Sequence, residues 1–150
     1  MNFQITYAIT VCNEHKELNK LLSLLIKLKR EDDNIVVQAD ESKVTKRVES
    51  VVKKHKVKYI KFPLNNDFAS FKNNLKSECS GDYIFQIDAD EIPSDESVEN
   101  LHKIIEKNLN IDLFLIPRIN VVPEITDEHL EKWDWKLNEH GWVNWPDYQF

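Results

Sequence analysis

Between Ile5 and Leu109 the chain switches repeatedly between short apolar runs and stretches whose apolar residues recur at helical spacing. Ile5 to Val11 reads as a buried strand. Asn13 then reads as the N-cap of a helix carrying Leu18, Leu21, Leu22, Leu25 and Leu28 on one stripe. Asn34 to Ala39 is a second strand, and Val44, Val48, Val51 and Val52 mark the helix after it. Val57 to Phe62, closed by Pro63, is a third strand, and Phe68, Phe71 and Leu75 mark a third helix. Gly81 turns into a fourth strand, Asp82 to Ile87. Pro93 and Ser94 open a helix with Val98, Leu101, Ile104, Ile105 and Leu109, and Leu113 to Ile116 is a fifth strand. Strands alternating with amphipathic helices imply an α/β fold, a mostly parallel central sheet with helices on both faces. Such sheets bind ligands beyond the carboxyl ends of their strands. The first strand ends at Thr10-Val11-Cys12-Asn13-Glu14, the second at Asp40 and the fourth at Asp88-Ala89-Asp90-Glu91, so these polar groups are expected along one edge.

The acidic cluster is the strongest chemical signal. Side chains alternate along a strand, which would project Asp88 and Asp90 to the same side. Hard carboxylate oxygens at a strand exit suit Mg²⁺ or Mn²⁺, which keep positions open for substrate phosphates. The plain alternative is a solvated turn, since 26 of the 150 residues are acidic. Glycine argues for the metal. Gly81 and Gly141 are the only two, so neither a dinucleotide fingerprint nor a P-loop can be written here. Any phosphate would need its charge neutralised some other way.

A 41% hydrophobic content in 150 residues fits one domain with a sizeable core. The net charge of -6 disfavours nucleic acid as a partner. Basic stretches at Lys27-Leu28-Lys29-Arg30 and from Lys53 to Lys61 read as solvated helix faces and leave room for a peripheral membrane contact. Cys12 and Cys79 are too few for a disulfide framework, which makes a reducing, cytoplasmic location the expectation. No apolar run reaches spanning length, and no signal-peptide pattern opens the chain. His15, His102 and His129 lack mutual ligand spacing. After Pro117 the character changes: Trp133, Trp135, Trp142 and Trp145 lie close together among polar residues. Trp133, with Leu130 and Leu137 at helical spacing, reads as packing. Trp142 and Trp145 read equally as a platform for a sugar ring or as a small local core.

In order and spacing these landmarks resemble family 2 glycosyltransferases of the GT-A fold, along essentially the whole chain. I-T-Y-A-I-T-V-C-N-E resembles that family's first strand and nucleotide loop. F-A-S-F-K-N-N-L-K-S-E-C-S-G-D-Y-I-F-Q-I-D-A-D-E resembles the stretch in which an Arg-Asn pair precedes G-D-[YW] and D-A-D-E, with Lys72 in the arginine's place and Asn73 matching the asparagine. I-P-R-I-N and G-W-V-N-W-P-D-Y-Q are similar to the bacterial branch that adds glucose to lipopolysaccharide cores.

The resemblance implies a nucleotide-sugar donor, commonly UDP-linked, a divalent metal (Mn²⁺ or Mg²⁺), inversion at the anomeric carbon, and a saccharide or glycolipid acceptor. It places Thr10, Cys12, Asn13, Glu14, Asp40, Lys72, Asn73, Asp88 and Ala89 at the nucleotide sugar. Asp90, Asp88 and Glu91 would serve the metal, and Trp142 and Trp145 the acceptor. Asp147 is the expected base, with Glu139 behind it; the plain alternative is that Asp147 only caps a turn after Pro146. Two departures stand out. The usual D-x-G-S-x-D turn after the second strand is Q-A-D-E-S-K-V-T here, with Asp40 as the substitute base-reading carboxylate. The family also continues past the point where Phe150 stands, so the chain is expected to be truncated or minimal. Residues 1–116 are expected to form the nucleotide-sugar core, and 117–150 the start of an acceptor-side segment of the same domain. A non-catalytic sugar-nucleotide-binding domain is the alternative to an enzyme. A nucleotidyltransferase would want a glycine-rich basic loop, and a receiver domain would want acids after the first strand.

Overall fold

The computed structural model describes residues 2–149. They divide into two compact units, the first ending at Asn108 and the second beginning at Leu109. The first unit runs β1 (Ile5–Val11), α1 (His15–Leu28), β2 (Asn34–Asp40), α2 (Lys46–His55), β3 (Lys58–Phe62), α3 (Phe68–Ser77), β4 (Tyr83–Asp88) and α4 (Asp95–Glu106). Its four strands are all parallel, in the order β3-β2-β1-β4.

The two sheet faces are built differently. On one, Ile5, Tyr7, Ile9 and Val11 of β1 and Ile35, Val37 and Ala39 of β2 are buried. Right-handed crossovers from β1 to β2 and β2 to β3 place α1 and α2 over this side, and α1 packs against both α2 and α4. Leu18, Leu21, Leu22 and Leu25 of α1 are fully buried, each contributing about 1.5–3 kcal/mol by leaving water. The other face carries Thr6, Ala8 and Thr10 with Val36, Gln38 and Asp40, and is covered by α3. There Ala8, Val36 and Leu75 form a small cluster with Ile60 and Cys79 packed against it.

Local chemistry sets the helix boundaries. Ser94 caps α4 by accepting from the Ser97 amide at 3.1 Å, Thr45 caps α2, and Asp67 caps α3 through the Ser70 amide at 2.9 Å. The cap of α1 is Glu14, one residue later than Asn13. α4 stops at Glu106, so Leu109 lies off its stripe and is exposed. Phe68 opens α3 but faces outward, 66% exposed. The basic stretches are largely committed. Arg30 binds the buried Asp33 at 2.8 Å and the Phe3 carbonyl at 2.8 Å, Lys58 pairs with Glu78 at 2.8 Å and Lys61 pairs with Glu49.

The second unit differs more from expectation. Leu113 to Ile116 is not a strand of the parallel sheet. Instead β5 (Ile116–Arg118) pairs antiparallel with β6 (Asp147–Gln149); the apolar run that suggested a sheet strand is only four residues long, and Pro117 after it has no N–H for a central ladder. Between them α5 (Asp127–Trp133) ends at Asp134 in a left-handed conformation. Leu137 therefore leaves the helix and bridges to Val143. Trp133 is 46% exposed, stacks on His129 at 5.0 Å and meets Trp135 at a tilt at 4.9 Å, so it is not the core residue its spacing implied.

Gly81 leads into β4 by close approach. A Cβ there would lie 2.7 Å from Thr6 Oγ1 and 2.8 Å from both the Gln4 carbonyl and the Thr6 amide. Backbone atoms of a central strand cannot yield, so Gly81→Ala should destabilise the protein by about 1–3 kcal/mol. Urea unfolding measures this directly, and a loss below about 0.5 kcal/mol would contradict the packing.

Candidate active site

Strand order reverses at β1: the chain winds outward through β2 and β3, then returns to place β4 on the other side. The crevice outside the carboxyl ends of β1 and β4 is where open α/β sheets take ligands. Thr10 pairs in register with Gln38 of β2 and with Asp88 of β4, so the three side chains form one row on the α3 face. Lys72 of α3 reaches down to this row, donating to Asp88 Oδ1 at 2.6 Å and to Thr10 Oγ1 at 3.1 Å. The Thr10 hydroxyl also donates to Asp88 Oδ1. Three predicted nucleotide residues are thus brought into direct contact.

The acidic cluster is shaped by a turn rather than by strand alternation. β4 ends at Asp88, while Ala89 and Asp90 lie in the turn. The Ala89 amide extends the ladder by donating to the Thr10 carbonyl at 2.9 Å, and the Glu91 amide closes the turn on the Asp88 carbonyl at 2.9 Å. Glu91 braces it by accepting from the Asp88 amide at 3.1 Å. Ala89 is buried and Asp90 exposed. The expected same-side projection of Asp88 and Asp90 along a strand therefore does not apply, because the strand stops between them. Among the described residues no group of three or more His, Cys, Asp or Glu side chains is arranged to hold a metal ion.

At the exit of β1, Glu14 folds its carboxylate back onto the loop, accepting from the Cys12 amide at 2.8 Å and the Asn13 amide at 3.1 Å. Asn13 is exposed. Burial pushes the Cys12 thiol up, and the negative charges of Glu14 and Asp40 push the same way. Asp40, 3% exposed, accepts through Oδ1 from the Ser42 hydroxyl at 2.8 Å, the Ser42 amide at 3.1 Å and the Leu64 amide at 3.2 Å. Its burial raises the pKa, but these hydrogen bonds and Lys43 outweigh that and hold it below the ordinary carboxylate value. Its Oδ2 is buried without a hydrogen-bond partner. Asn73, matched to the family's asparagine, is exposed. The engaged residue is its neighbour Asn74, bonded to Gln38 at 2.7 Å. The sequence reading passed over both Gln38 and Asn74, although a glutamine in an otherwise apolar strand was the available signal.

In the second unit Asp147 Oδ2 receives Arg118 Nε at 2.8 Å, an Arg118 terminal nitrogen at 2.6 Å and Asn120 Nδ2 at 2.9 Å. The Asn120 and Arg118 hydrogen bonds hold its pKa below the ordinary value. Arg118 and Asn120, from the P-R-x-N stretch, are further residues the sequence reading did not single out. Trp142 meets Trp145 edge-on at 4.9 Å and His140 at 5.0 Å. Glu139, with an 86% exposed side chain, lies 3.5 Å from His140. Asn138 organises this turn, accepting from the His140 amide at 3.0 Å and the Trp142 amide at 2.9 Å.

The sequence pattern of the family described as "Glycosyl transferase family 2" matches residues 6–146. No curated protein matches the chain. Among solved structures, Staphylococcus aureus TarS 1-349 in complex with UDP superposes with a TM-score of 0.67 at 15% identity, covering 82% of this chain and 37% of that one. The same protein in complex with UDP-GlcNAc gives 0.62 at 16% identity, with 84% and 36% covered. The mannosyltransferase PcManGT from Pyrobaculum calidifontis, in complex with GDP-Man and Mn²⁺, gives 0.57 at 16% identity, with 70% and 33% covered. At such identities the likeness shows the shared fold: a mostly parallel sheet flanked by helices, as in GT-A glycosyltransferases. This chain spans about a third of each of those structures.

The lowered carboxyls carry a pH signature. A carboxylate held below its unfolded pKa, about 3.9 for aspartate, contributes stability above that value and loses it as pH falls through the folded pKa. Asp40→Asn should therefore cost about 1–3 kcal/mol at neutral pH, with the gap from wild type narrowing below about pH 4. Denaturation at several pH values tests this, and a gap independent of pH would contradict it.

Proposed function

Because the chain belongs to glycosyl transferase family 2, we propose that it carries the donor site of an enzyme that moves a sugar from a UDP-linked donor to an acceptor hydroxyl. The observation that carries this reading is the Thr10–Asp88–Lys72 group at the strand-order reversal, a carboxylate and an ammonium set where such sheets bind ligands. The complexes of the matched structures with UDP, UDP-GlcNAc and GDP-Man support a nucleotide-sugar donor.

Uridine is favoured by Asp40. A buried carboxylate oxygen without a partner costs about 1–3 kcal/mol, and the imide N–H of a uracil ring is a donor of the right kind to relieve it. Glu14, by tying down the Cys12 and Asn13 amides, shapes the loop beside the nucleoside. Lys72 supplies positive charge at the diphosphate.

The acidic turn fits a Mg²⁺ or Mn²⁺ site completed by substrate. Such ions are usually held by one or two carboxylates plus phosphates and water, not by an all-protein cage, and hard oxygens without a three-ligand cluster are what the described residues offer. Asp90 and Asp88 would hold the ion, with Glu91 bracing the turn. When bound, it would supply Lewis-acid stabilisation of the diphosphate.

In the transfer itself the acceptor oxygen attacks the anomeric carbon from the face opposite the diphosphate. The bond to the diphosphate oxygen breaks, its electron pair leaves on that oxygen, and the configuration inverts. The acceptor's proton passes to a carboxylate base. Asp147 is the base we propose, with Glu139 second. Arg118 and Asn120 orient Asp147 and keep it ionised. Trp142 and Trp145 offer aromatic faces on which a saccharide acceptor can stack. Assembly of the proposed base from Arg118, Asn120 and Asp147, the residues of the P-R-x-N and W-P-D stretches, supports the lipopolysaccharide-core glucosyltransferase branch.

Calorimetry with UDP and uridine tests the donor site. UDP affinity should fall about tenfold or more with EDTA and in Asp90→Ala, whereas Glu14→Ala should weaken UDP and uridine alike. UDP binding indifferent to EDTA and to Asp90→Ala would remove the metal from this reading. For the base, Asp147→Asn should abolish transfer while leaving donor affinity intact. Transfer that survives the substitution excludes Asp147.

A further inference from the structure

Gln38 is a costly residue for its place. It is fully buried in a central strand, and towards the amino end of the same sheet face it borders Val36 and Ala8, which are apolar and buried. Burying an amide is unfavourable unless its hydrogen bonds are replaced. Gln38 replaces them with one element, α3: Nε2 donates to the Phe71 carbonyl at 2.6 Å, and Oε1 accepts from Asn74 Nδ2 at 2.7 Å. These two contacts bracket Lys72, which sits between Phe71 and Asn74 and reaches Asp88 and Thr10. The same sheet row carries both ends of the arrangement, since Gln38 is in register with Thr10 and Thr10 with Asp88.

We propose that Gln38 is a positioning residue for the diphosphate end of the donor site: with Asn74 it seats α3 on β2 and so fixes where the Lys72 ammonium meets Asp88. The proposal rests on the nucleotide reading above. A lysine is a point charge on a long stem with much rotamer freedom, so its reach depends on where its backbone is held. Apolar packing of Phe71 and Leu75 secures the helix to the sheet but is non-directional. The amide clamp adds direction. The nucleoside end at Asp40 and Glu14 does not depend on it, because Asp40 is held by Ser42 and Leu64 and Glu14 holds its own loop.

Two variants remove the clamp. Gln38→Met keeps volume and removes both bonds. Asn74→Ala acts from the half-buried helix side, where folding is more tolerant. In the free protein, acylation of lysines followed by mass spectrometry should show Lys72 modified about fivefold or more faster in each variant relative to the other lysines, as a pairing worth about 1 kcal/mol is lost. In binding, each variant should lower the ratio of UDP to uridine affinity by about fivefold or more with uridine affinity unchanged. A structural role alone would weaken both ligands in parallel with thermal stability. Such parallel weakening, or unaltered Lys72 reactivity in both folded variants, overturns the proposal. A wild-type preference for UDP that both variants retain overturns it while leaving the nucleotide reading intact. Wild-type protein that binds UDP no better than uridine overturns that reading, and this inference with it.

Discussion

β1 is bonded in parallel to β2 on one side and β4 on the other, and this shared strand is the constraint from which the site follows. The chain must leave β3 and cross back over the sheet to place β4 beside β1, and α3 is the segment that makes the crossing. Parallel strands need such covered crossovers. Because the crossing helix passes over β2 and β1, its side chains meet whatever those strands present on that face. Here they present Gln38 and Thr10, with Asp88 next in the row, and α3 answers with Asn74 and Lys72.

The two faces of the sheet divide the work. Under α1 and α2 lie the large aliphatic residues, whose burial supplies most of the cohesion. Under α3 the apolar cluster is small, and polar groups take over towards the carboxyl ends of the strands. A well-packed apolar face lets the other face carry buried polar groups that cost free energy unless paired. Where one such group has no partner, as at Asp40 Oδ2, the fold holds an unmet hydrogen-bonding capacity at the edge where a ligand belongs.

The second unit uses a different device. A short antiparallel ladder sets Arg118 opposite Asp147, and Arg118 and Asn120 both donate to one carboxylate oxygen, Asp147 Oδ2. Arginine's planar fork suits such convergence, giving geometry as well as charge. A tryptophan pair lies within the same unit. Together they place a carboxylate held in its ionised form and flat apolar faces within one unit.

The alternation of strands and helices was legible because hydrophobic period is a local property: β1 begins and ends where the apolar run does, and α1 buries four of the five leucines of its stripe. So was the gathering of Thr10, Asp40 and Asp88 at one edge, since carboxyl ends of parallel strands lie together whatever the sheet order. Reading failed where a local pattern met a change of backbone. Asp90 left the strand period because the chain turns after Asp88, and Leu137 left the helix period because Asp134 ends α5 in a left-handed conformation. The partners were decided only by tertiary structure. Gln38 with Asn74, Lys72 with Asp88, and Arg118 and Asn120 with Asp147 are pairs 16 to 36 positions apart. Composition and period say that polar groups are present. Which strands become neighbours, and which helix crosses them, determines whom each group meets, and hydrogen bonds a few ångströms long exist only once that is settled.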